Sequence, residues 1–138
     1  MKIDIDVPDG KSGNCEVTTF EVTEQDAKLF NIRAVFQPGG RTITPGTYKK
    51  LTVNGTLMMS NTPAEIDDHR AFIYHARRSD GHILINGLGL GVCLKAILES
   101  ETVKSVTVIE NSPDVIKLVA PTYLADPRVK IIEADAFT

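Results

Sequence analysis

The chain has 138 residues, 42% of them hydrophobic, which is enough to bury one ordinary core in one compact unit. A formal net charge of −3 at pH 7 excludes a strong positive field, so neither nucleic acid nor an anionic membrane is predicted as a partner. No apolar run spans a bilayer, the N-terminus lacks a signal-peptide core and the two cysteines lack metal-ligand spacing, so we expect a cytoplasmic protein without a metal site.

Short segments separated by glycine and proline make up residues 1–62, which are predicted to form a small α+β extension. The runs KIDIDV (2–7) and CEVTTFEV (15–22) alternate apolar and polar residues, which is the pattern of half-buried strands. YKKLTVNGTLMMS (48–60) is typical of a hairpin, since Asn54-Gly55 adopts the positive φ angles of a type I′ turn readily.

One helix is predicted inside this extension, over TEQDAKLFNIRAVF (23–36). Thr23 is the expected N-cap, and acidic residues fill the first turn. Its buried face is expected to contain Ala27, Phe30 and Ala34, which recur at helical spacing.

A second helix is predicted to open the segment 63–138. Thr62 and Glu65 have the spacing of a capping box, with proline at the first helical position. Residues at helical spacing define its expected buried face, namely Ile66, Phe72 and Ile73, with His69 or Ala76 as further candidates.

The rest of residues 63–138 has the pattern of one half of a doubly wound sheet. HILIN (82–86), SVTVIE (105–110) and the part of DPRVKIIEADAF (126–137) that follows its opening turn are nearly continuous apolar runs, as in parallel strands covered on both faces. Helical segments between them complete the order strand–helix–strand–helix–strand. The predicted fold class is therefore α/β, with a partial Rossmann-like core of three strands after a small N-terminal α+β extension.

Three glycines at alternate positions, Gly87, Gly89 and Gly91, join the first core strand to the next helix. Without a Cβ atom the backbone turns sharply and a ligand can approach it closely, while the helix presents unpaired N–H groups. Taken alone, this spacing is also that of a tight turn in a packed sheet. Its place between a strand and a helix favours a ligand-binding loop, to which Asn86 is added.

Acidic residues end the other two strands at the same edge of the predicted sheet. Glu110 closes the second strand, where a carboxylate can accept both hydroxyls of a ribose, although a surface glutamate also fits this place. Asp135 follows the third strand, where a carboxylate can accept from an adenine amino group or cap a further helix. Together with the glycine loop they predict a nucleoside pocket, in which Asn111 and Ala136 are included.

The pattern ILINGLGLG…VTVIENS…VKIIEADAF, within residues 82–137, resembles the first motifs of class I S-adenosylmethionine-dependent methyltransferases. The resemblance implies that residues 63–138 form the N-terminal half of an S-adenosylmethionine-binding domain. It implies that the glycine loop contacts the methionine part, Glu110 the ribose and Asp135 the adenine. A nicotinamide-dinucleotide fold is the competing interpretation, but it spaces its glycines G-x-G-x-x-G, and Val92 stands where that pattern needs glycine.

Within that superfamily the chain is most similar to the spermidine synthase-like proteins, which are aminopropyltransferases. The hairpin, the helix PAEIDDH and the turn DPRV all fit that family, and the implied cofactor is S-adenosylmethionine or decarboxylated S-adenosylmethionine. Glu65 and His69 are similar in spacing to a glutamate–histidine pair in that family's helix, and residues four apart share a helix face. Both are possible pocket residues, although Glu65 also fits the capping box and His69 the edge of a core.

Two departures from that family stand out. Its loop carries an acid among the glycines, where this chain has Leu88 and Leu90. Its acceptor for the proton of the substrate amine follows a fourth core strand, and no fourth core strand is predicted here. The catalytic residue is therefore unassigned.

Two functions remain open. The first is transfer of a methyl or aminopropyl group from an adenosyl sulfonium cofactor to a small-molecule acceptor. The second is a non-catalytic nucleoside-binding or assembly module, which the two loop leucines favour. Because HILIN would keep one unpaired edge, we expect either a fragment of a longer enzyme or, if the chain is complete, a homo-oligomer or an N-terminal segment covering that edge.

Overall fold

A computed structural model describes residues 2–136, in which an antiparallel sheet precedes a parallel one. The strands are β1 Gly10–Ser12, β2 Cys15–Val22, β3 Gly46–Val53, β4 Thr56–Ser60, β5 His82–Asn86, β6 Ser105–Glu110 and β7 Val129–Glu133. The helices are α1 Glu24–Val35, α2 Pro63–Asp68, α3 Arg70–Arg77, α4 Val92–Leu98 and α5 Pro113–Tyr123. None of these helices is long and apolar enough to cross a bilayer.

The antiparallel sheet has the order β1-β2-β3-β4 and contains the predicted hairpin. β2 and β3 pair along their whole length, from Cys15 opposite Val53 to Val22 opposite Gly46. Asn54 and Gly55 have φ angles of 52° and 77°, so the prediction of a type I′ turn between β3 and β4 is confirmed.

The N-terminal run KIDIDV is not a strand of either sheet, so that prediction is wrong. Ile3, Ile5 and Val7 are nevertheless buried, and the residues between them are exposed. The carbonyl oxygen of Ile3 accepts a hydrogen bond from the Asn61 side chain at 2.8 Å. The alternation arises because the segment packs one side onto the core, and such packing produces the period of a strand without requiring a strand partner.

The predicted helix in the extension is present as α1, with Thr23 as its N-cap. The Thr23 hydroxyl accepts from the N–H of Asp26 at 3.1 Å, and the Asp26 carboxylate accepts from the N–H of Thr23. Ala27 and Ala34 are buried as expected, but Phe30 is 51% exposed, so its assignment to the buried face is wrong. The helix packs on a small cluster with Val22, which covers only a narrow strip of its surface.

The predicted second helix is broken into α2 and α3 at His69, whose φ and ψ are −104° and 4°. Asp67 and Asp68 lie in the last turn of α2, where negative charge opposes the helix dipole, which favours an early end. Ile66 and Ile73 are buried as predicted, but Phe72 is 43% exposed because its side of α3 borders a cavity.

The predicted capping box at Thr62 is wrong, although proline does stand at the start of α2. The Thr62 hydroxyl lies 3.0 Å from the hydroxyl of Ser60 and caps no helix N–H. The Glu65 carboxylate accepts from the N–H of Ser60 at 2.7 Å. Glu65 therefore joins α2 to the end of β4.

The parallel sheet has the order β5-β6-β7, with α4 and α5 as the crossovers. His82 lies opposite Ser105, and Val106 lies opposite Val129. These strands match the three predicted runs, so the α/β class with a partial Rossmann-like core is confirmed. One core cluster contains Val17 and Leu51 of the first sheet together with Val108 of the second. The domain boundary between residues 62 and 63 stays a prediction.

One face and one edge of the parallel sheet are uncovered within residues 2–136. Residues at alternate positions, such as Ile85, Val106 and Val108, are buried beneath the helices. On the opposite face Leu84 and Ile132 are 57% and 37% exposed, so the expectation of two covered faces holds for one face only. β5 pairs with β6 alone among the described strands, which leaves its other edge free.

Candidate functional site

A cavity of about 680 Å³ lies where β5 and β6 end, beneath β4 of the hairpin. It brings together six of the predicted site residues, which come from the glycine loop, the end of β6 and the break between α2 and α3. They are Asn86, Gly87, Gly89, Glu110, Asn111 and His69. The carboxyl ends of parallel strands meet at one edge of a sheet, and this is why residues distant in sequence converge there.

The three glycines serve two different purposes. Gly87 has a φ of +96°, and a Cβ atom added to it would meet nothing within 4 Å, so it opens onto free space. A Cβ on Gly89 would lie 2.5 Å from the sulfur of Met59, and one on Gly91 would lie 2.3 Å from the ring of Tyr123. Gly87 therefore leaves room for a ligand, whereas Gly89 and Gly91 leave room for the protein's own side chains.

Glu110 is buried and already holds the glycine loop in place. One carboxylate oxygen accepts from the N–H of Leu88 at 2.9 Å, and the other accepts from the N–H of Ser112 at 2.9 Å. A carboxylate oxygen has two lone-pair directions, so each oxygen can still accept one ligand hydroxyl. The Glu110 carboxylate therefore joins the glycine loop to the loop that follows β6.

The two loop leucines are core residues, with Leu88 and Leu90 exposed by only 4% and 0%. Leu88 forms part of the cavity wall without filling the cavity. The Leu90 N–H lies 3.2 Å from the sulfur of Met59, and its carbonyl accepts from the hydroxyl of Tyr123 at 2.7 Å. Burial, with a smaller contribution from Asp6, raises the pKa of Tyr123, so its hydroxyl stays protonated and donates at neutral pH.

The structure separates the glutamate–histidine pair. His69 lines the cavity at the break between α2 and α3, whereas Glu65 is turned toward Ser60 and is not among the residues that line the cavity. The four-residue spacing places two side chains on one face only in a continuous helix, and this helix is interrupted at His69.

Asp135 and Ala136 follow β7 and are exposed, outside the set of residues that line the cavity. The N–H of Ala134 donates to the carbonyl of Glu110 at 3.0 Å, so this segment starts beside the end of β6. Phe137, the last residue of the motif, lies outside the described residues. The adenine contact assigned to Asp135 stays a prediction.

Several cavity residues were not found from the sequence, because no motif marks them. Cys15 of β2, Met58 and Met59 of β4 and Phe72 of α3 all line the cavity and lie far from the glycine loop in the chain. Cys93 also lines it, and burial raises the pKa of this thiol, so it stays protonated and behaves as an apolar group. These residues are recognised as part of the cavity wall only from the tertiary structure, in which the hairpin packs over the glycine loop.

The fold and the cavity define an α/β protein with a partial Rossmann-like core and a candidate ligand site at the ends of β5 and β6. No protein-family model matches the chain. Polyamine aminopropyltransferase 1 of Streptomyces coelicolor is 35% identical over 103 residues, a match that covers 64% of this chain and 18% of the relative. This sequence match confirms the resemblance to the spermidine synthase-like proteins, over a small part of the relative's length.

Two solved structures are similar in fold. Spermidine synthase from Thermotoga maritima has a TM-score of 0.49 and 24% identity, and the match covers 63% of this chain and 33% of that chain. A spermidine synthase in complex with the transition state analogue AdoDATO has a TM-score of 0.48 and 24% identity, with the same coverage of 63% and 33%.

Proposed function

We propose that the chain binds the adenosyl part of a sulfonium donor and forms the donor half of a transferase that moves an aminopropyl or methyl group to a small acceptor. The supporting observation is the cavity itself, where Gly87 leaves open space beside the buried carboxylate of Glu110. The curated relative is named for aminopropyl transfer, which supports this class.

The cavity residues suit such a ligand in size and chemistry. A volume of about 680 Å³ lies within the range of small-molecule sites. Glu110 would accept the ribose hydroxyls through the lone pairs that its two backbone contacts leave free. Gly87 would allow the nucleoside to lie directly on the loop backbone. Group transfer from a sulfonium then depends chiefly on holding the electrophilic carbon in line with the acceptor.

A non-catalytic nucleoside-binding module is the second candidate function. Among the described residues that line the cavity, the titratable side chains are Glu110, His69, Cys15 and Cys93. The oxygens of Glu110 are engaged with the loop backbone, and Cys93 keeps its proton. His69 and Cys15 are not assigned this role either, so the acceptor for the proton of an attacking amine stays unassigned. Release of a thioether nucleoside only when an acceptor amine is added would favour the transferase over this module.

Titration calorimetry with adenosine and 2′-deoxyadenosine tests the proposal. If Glu110 accepts a ribose hydroxyl, the wild-type chain should bind 2′-deoxyadenosine about tenfold more weakly than adenosine, since a hydrogen bond to a charged group is lost. In Glu110→Gln the ratio of the affinities for the two ligands should fall, even if the substitution also weakens the binding of both by disturbing the loop. Comparing the two ligands in each variant separates the contact between Glu110 and the ribose from the hydrogen bonds by which Glu110 holds the loop backbone.

The matched control is Glu101→Gln, which changes an exposed glutamate outside the cavity and should keep the wild-type ratio. Circular dichroism of each variant checks that the fold is intact. If no adenosine compound binds the folded wild-type chain, the proposed function is wrong.

A further inference from the structure

A second cavity, of about 530 Å³, lies along one side of α3 and shares no lining residue with the cavity at the ends of β5 and β6. We call it the arginine groove, because three arginines line it with a tyrosine and an isoleucine, namely Arg70, Ile73, Tyr74, Arg77 and Arg78. We propose that this groove is a separate binding site for a small anion with two or more linked phosphate groups. The proposal does not depend on the function proposed for the other cavity.

The first observation is the concentration of positive charge in a chain whose formal net charge is −3. The described residues that line the groove supply three guanidinium groups and no carboxylate. Arg70 begins α3, where the helix dipole opposes a positive charge, so the stability of the helix does not by itself favour an arginine there. A guanidinium binds phosphate through two parallel hydrogen bonds, and this set of side chains therefore suits phosphate oxygens.

The second observation is that these guanidinium groups are weakly engaged within residues 2–136. Arg70 pairs with Asp67 at 2.6 Å, and Arg77 lies 3.9 Å from Glu99. The four side chains are 42% to 58% exposed, and exposed ion pairs contribute little free energy. A multiply charged anion can therefore replace both carboxylates. Arg78 contacts a tyrosine and forms no ion pair with a described carboxylate.

The third observation is the arrangement of the groups at the end of α3. The Arg78 guanidinium donates to the hydroxyl of Tyr74 at 2.8 Å, and its central carbon lies 4.7 Å from the centre of the Tyr74 ring. Because this hydroxyl accepts from Arg78, its own proton is available to a ligand. The carbonyl of Arg77 accepts from the hydroxyl of Ser100 at 2.7 Å, which fixes the backbone here. This end of the groove is therefore arranged before an anion binds.

The spacing of the arginines sets the length of the ligand. Arg70 and Arg77 lie at the two ends of α3, about 11 Å apart along the helix axis at a rise of about 1.5 Å per residue. Linked phosphate groups can contact guanidinium groups at both ends at once, whereas inorganic phosphate covers a shorter span. The volume of about 530 Å³ lies within the range of small-molecule sites.

Calorimetric titration of the folded wild-type chain with tripolyphosphate, inorganic phosphate and citrate tests the proposal. We expect tripolyphosphate to bind at least about tenfold more tightly than inorganic phosphate, because it makes more charge-assisted hydrogen bonds. Citrate should also bind more weakly, since its carboxylates lie on a compact carbon skeleton. Equal affinities for tripolyphosphate and citrate would overturn the assignment to phosphate, and failure of tripolyphosphate to bind would overturn the site.

Two substitutions that remove the same charge locate the binding. Arg78→Gln should weaken the binding of tripolyphosphate by at least about tenfold, since a charged donor is lost. Arg33→Gln is the matched control, because Arg33 is an exposed arginine of α1 outside the groove, and it should keep the affinity within about twofold. Equal losses in the two variants would reveal general electrostatic attraction and overturn the site.

Tyr74→Phe is a milder variant that keeps the ring beneath Arg78 and removes the hydroxyl. It should weaken the binding of tripolyphosphate by about threefold, because one hydrogen bond to the anion is lost. Circular dichroism checks the fold of each variant. Unchanged affinity in folded Tyr74→Phe and Arg78→Gln would overturn the site. Titration of Arg78→Gln with adenosine should match the wild-type result, and a difference there would contradict the separation of the two cavities.

Discussion

At the scale of single residues, the glycine loop combines one position that leaves room for a ligand with two that the fold requires. Gly89 and Gly91 stand under Met59 and Tyr123, which come from the hairpin and from α5. A pattern of three glycines therefore does not mark three ligand contacts. The loop joins the N-terminal sheet and the parallel sheet by direct packing.

Replacing Gly91 by alanine should strongly destabilise the protein. Its φ is +79°, and the added Cβ would lie 2.3 Å from the Tyr123 ring, so backbone strain and a steric clash act together. We expect a loss of at least about 3 kcal/mol in the free energy of unfolding, measured with urea. Gly55→Ala is the matched control, because Gly55 has a φ of +77° and open space around it, and should lose about 1 kcal/mol. Equal losses in both variants would show that the Tyr123 contact is unimportant.

At the scale of secondary-structure elements, Arg128 links the start of β7 to the end of α4. Its guanidinium donates to the carbonyls of Leu98 at 2.6 Å and Ser100 at 2.8 Å. The Asp126 carboxylate accepts from the same guanidinium at 2.8 Å and 3.1 Å. The last carbonyls of a helix lack partners within the helix, so this arginine caps α4 from another part of the chain.

Arg128→Met should therefore lower the free energy of unfolding at pH 7 by about 2 kcal/mol, since the hydrogen bonds of a charged group are lost. Lys130→Met, at an exposed position of β7, is the control and should change it by less than about 0.5 kcal/mol. Urea denaturation of both variants measures the difference. A loss of the same size in Lys130→Met would contradict the capping role.

This stabilisation should also depend on pH. The hydrogen bond from Arg128, more than the charge itself, holds the pKa of Asp126 below its usual range. A carboxyl group with a lower pKa in the folded state stabilises the fold above the pKa of the unfolded state and loses this contribution as pH falls. The difference between wild type and Arg128→Met should thus shrink below about pH 4.

At the scale of the whole molecule, two apolar surfaces remain uncovered within residues 2–136. One is the uncovered face of the parallel sheet beside the free edge of β5, where Leu84 is 57% exposed. The other is the outer side of α1, where each of five large apolar side chains is more than half exposed. They are Leu29, Phe30, Ile32, Val35 and Phe36. Unpaired edges and large apolar patches are typical of interaction surfaces.

We propose that this chain by itself self-associates through the free edge of β5, where a second copy would pair its own β5 and continue the sheet. Light scattering over a range of concentrations should then give a mass of at least twice the 15.1 kDa of one chain. Phe36→Lys, on the outer side of α1, is the control and should leave that mass unchanged. A mass of 15.1 kDa at every concentration would exclude self-association. A monomer produced by Phe36→Lys would place the contact on α1 instead.

Local patterns in the sequence by themselves determined the parallel strands, the type I′ turn, the N-cap at Thr23 and the place of the glycine loop, because neighbours within a few residues govern these features. Only the tertiary structure decided that KIDIDV packs without a strand partner and that Glu65 faces Ser60. It also decided which glycine is open to a ligand. Gly89 lies against Met59 and Gly91 lies against Tyr123. Contacts between such distant segments depend on how the two sheets and α5 pack together, and the local pattern of apolar and polar residues does not specify that packing.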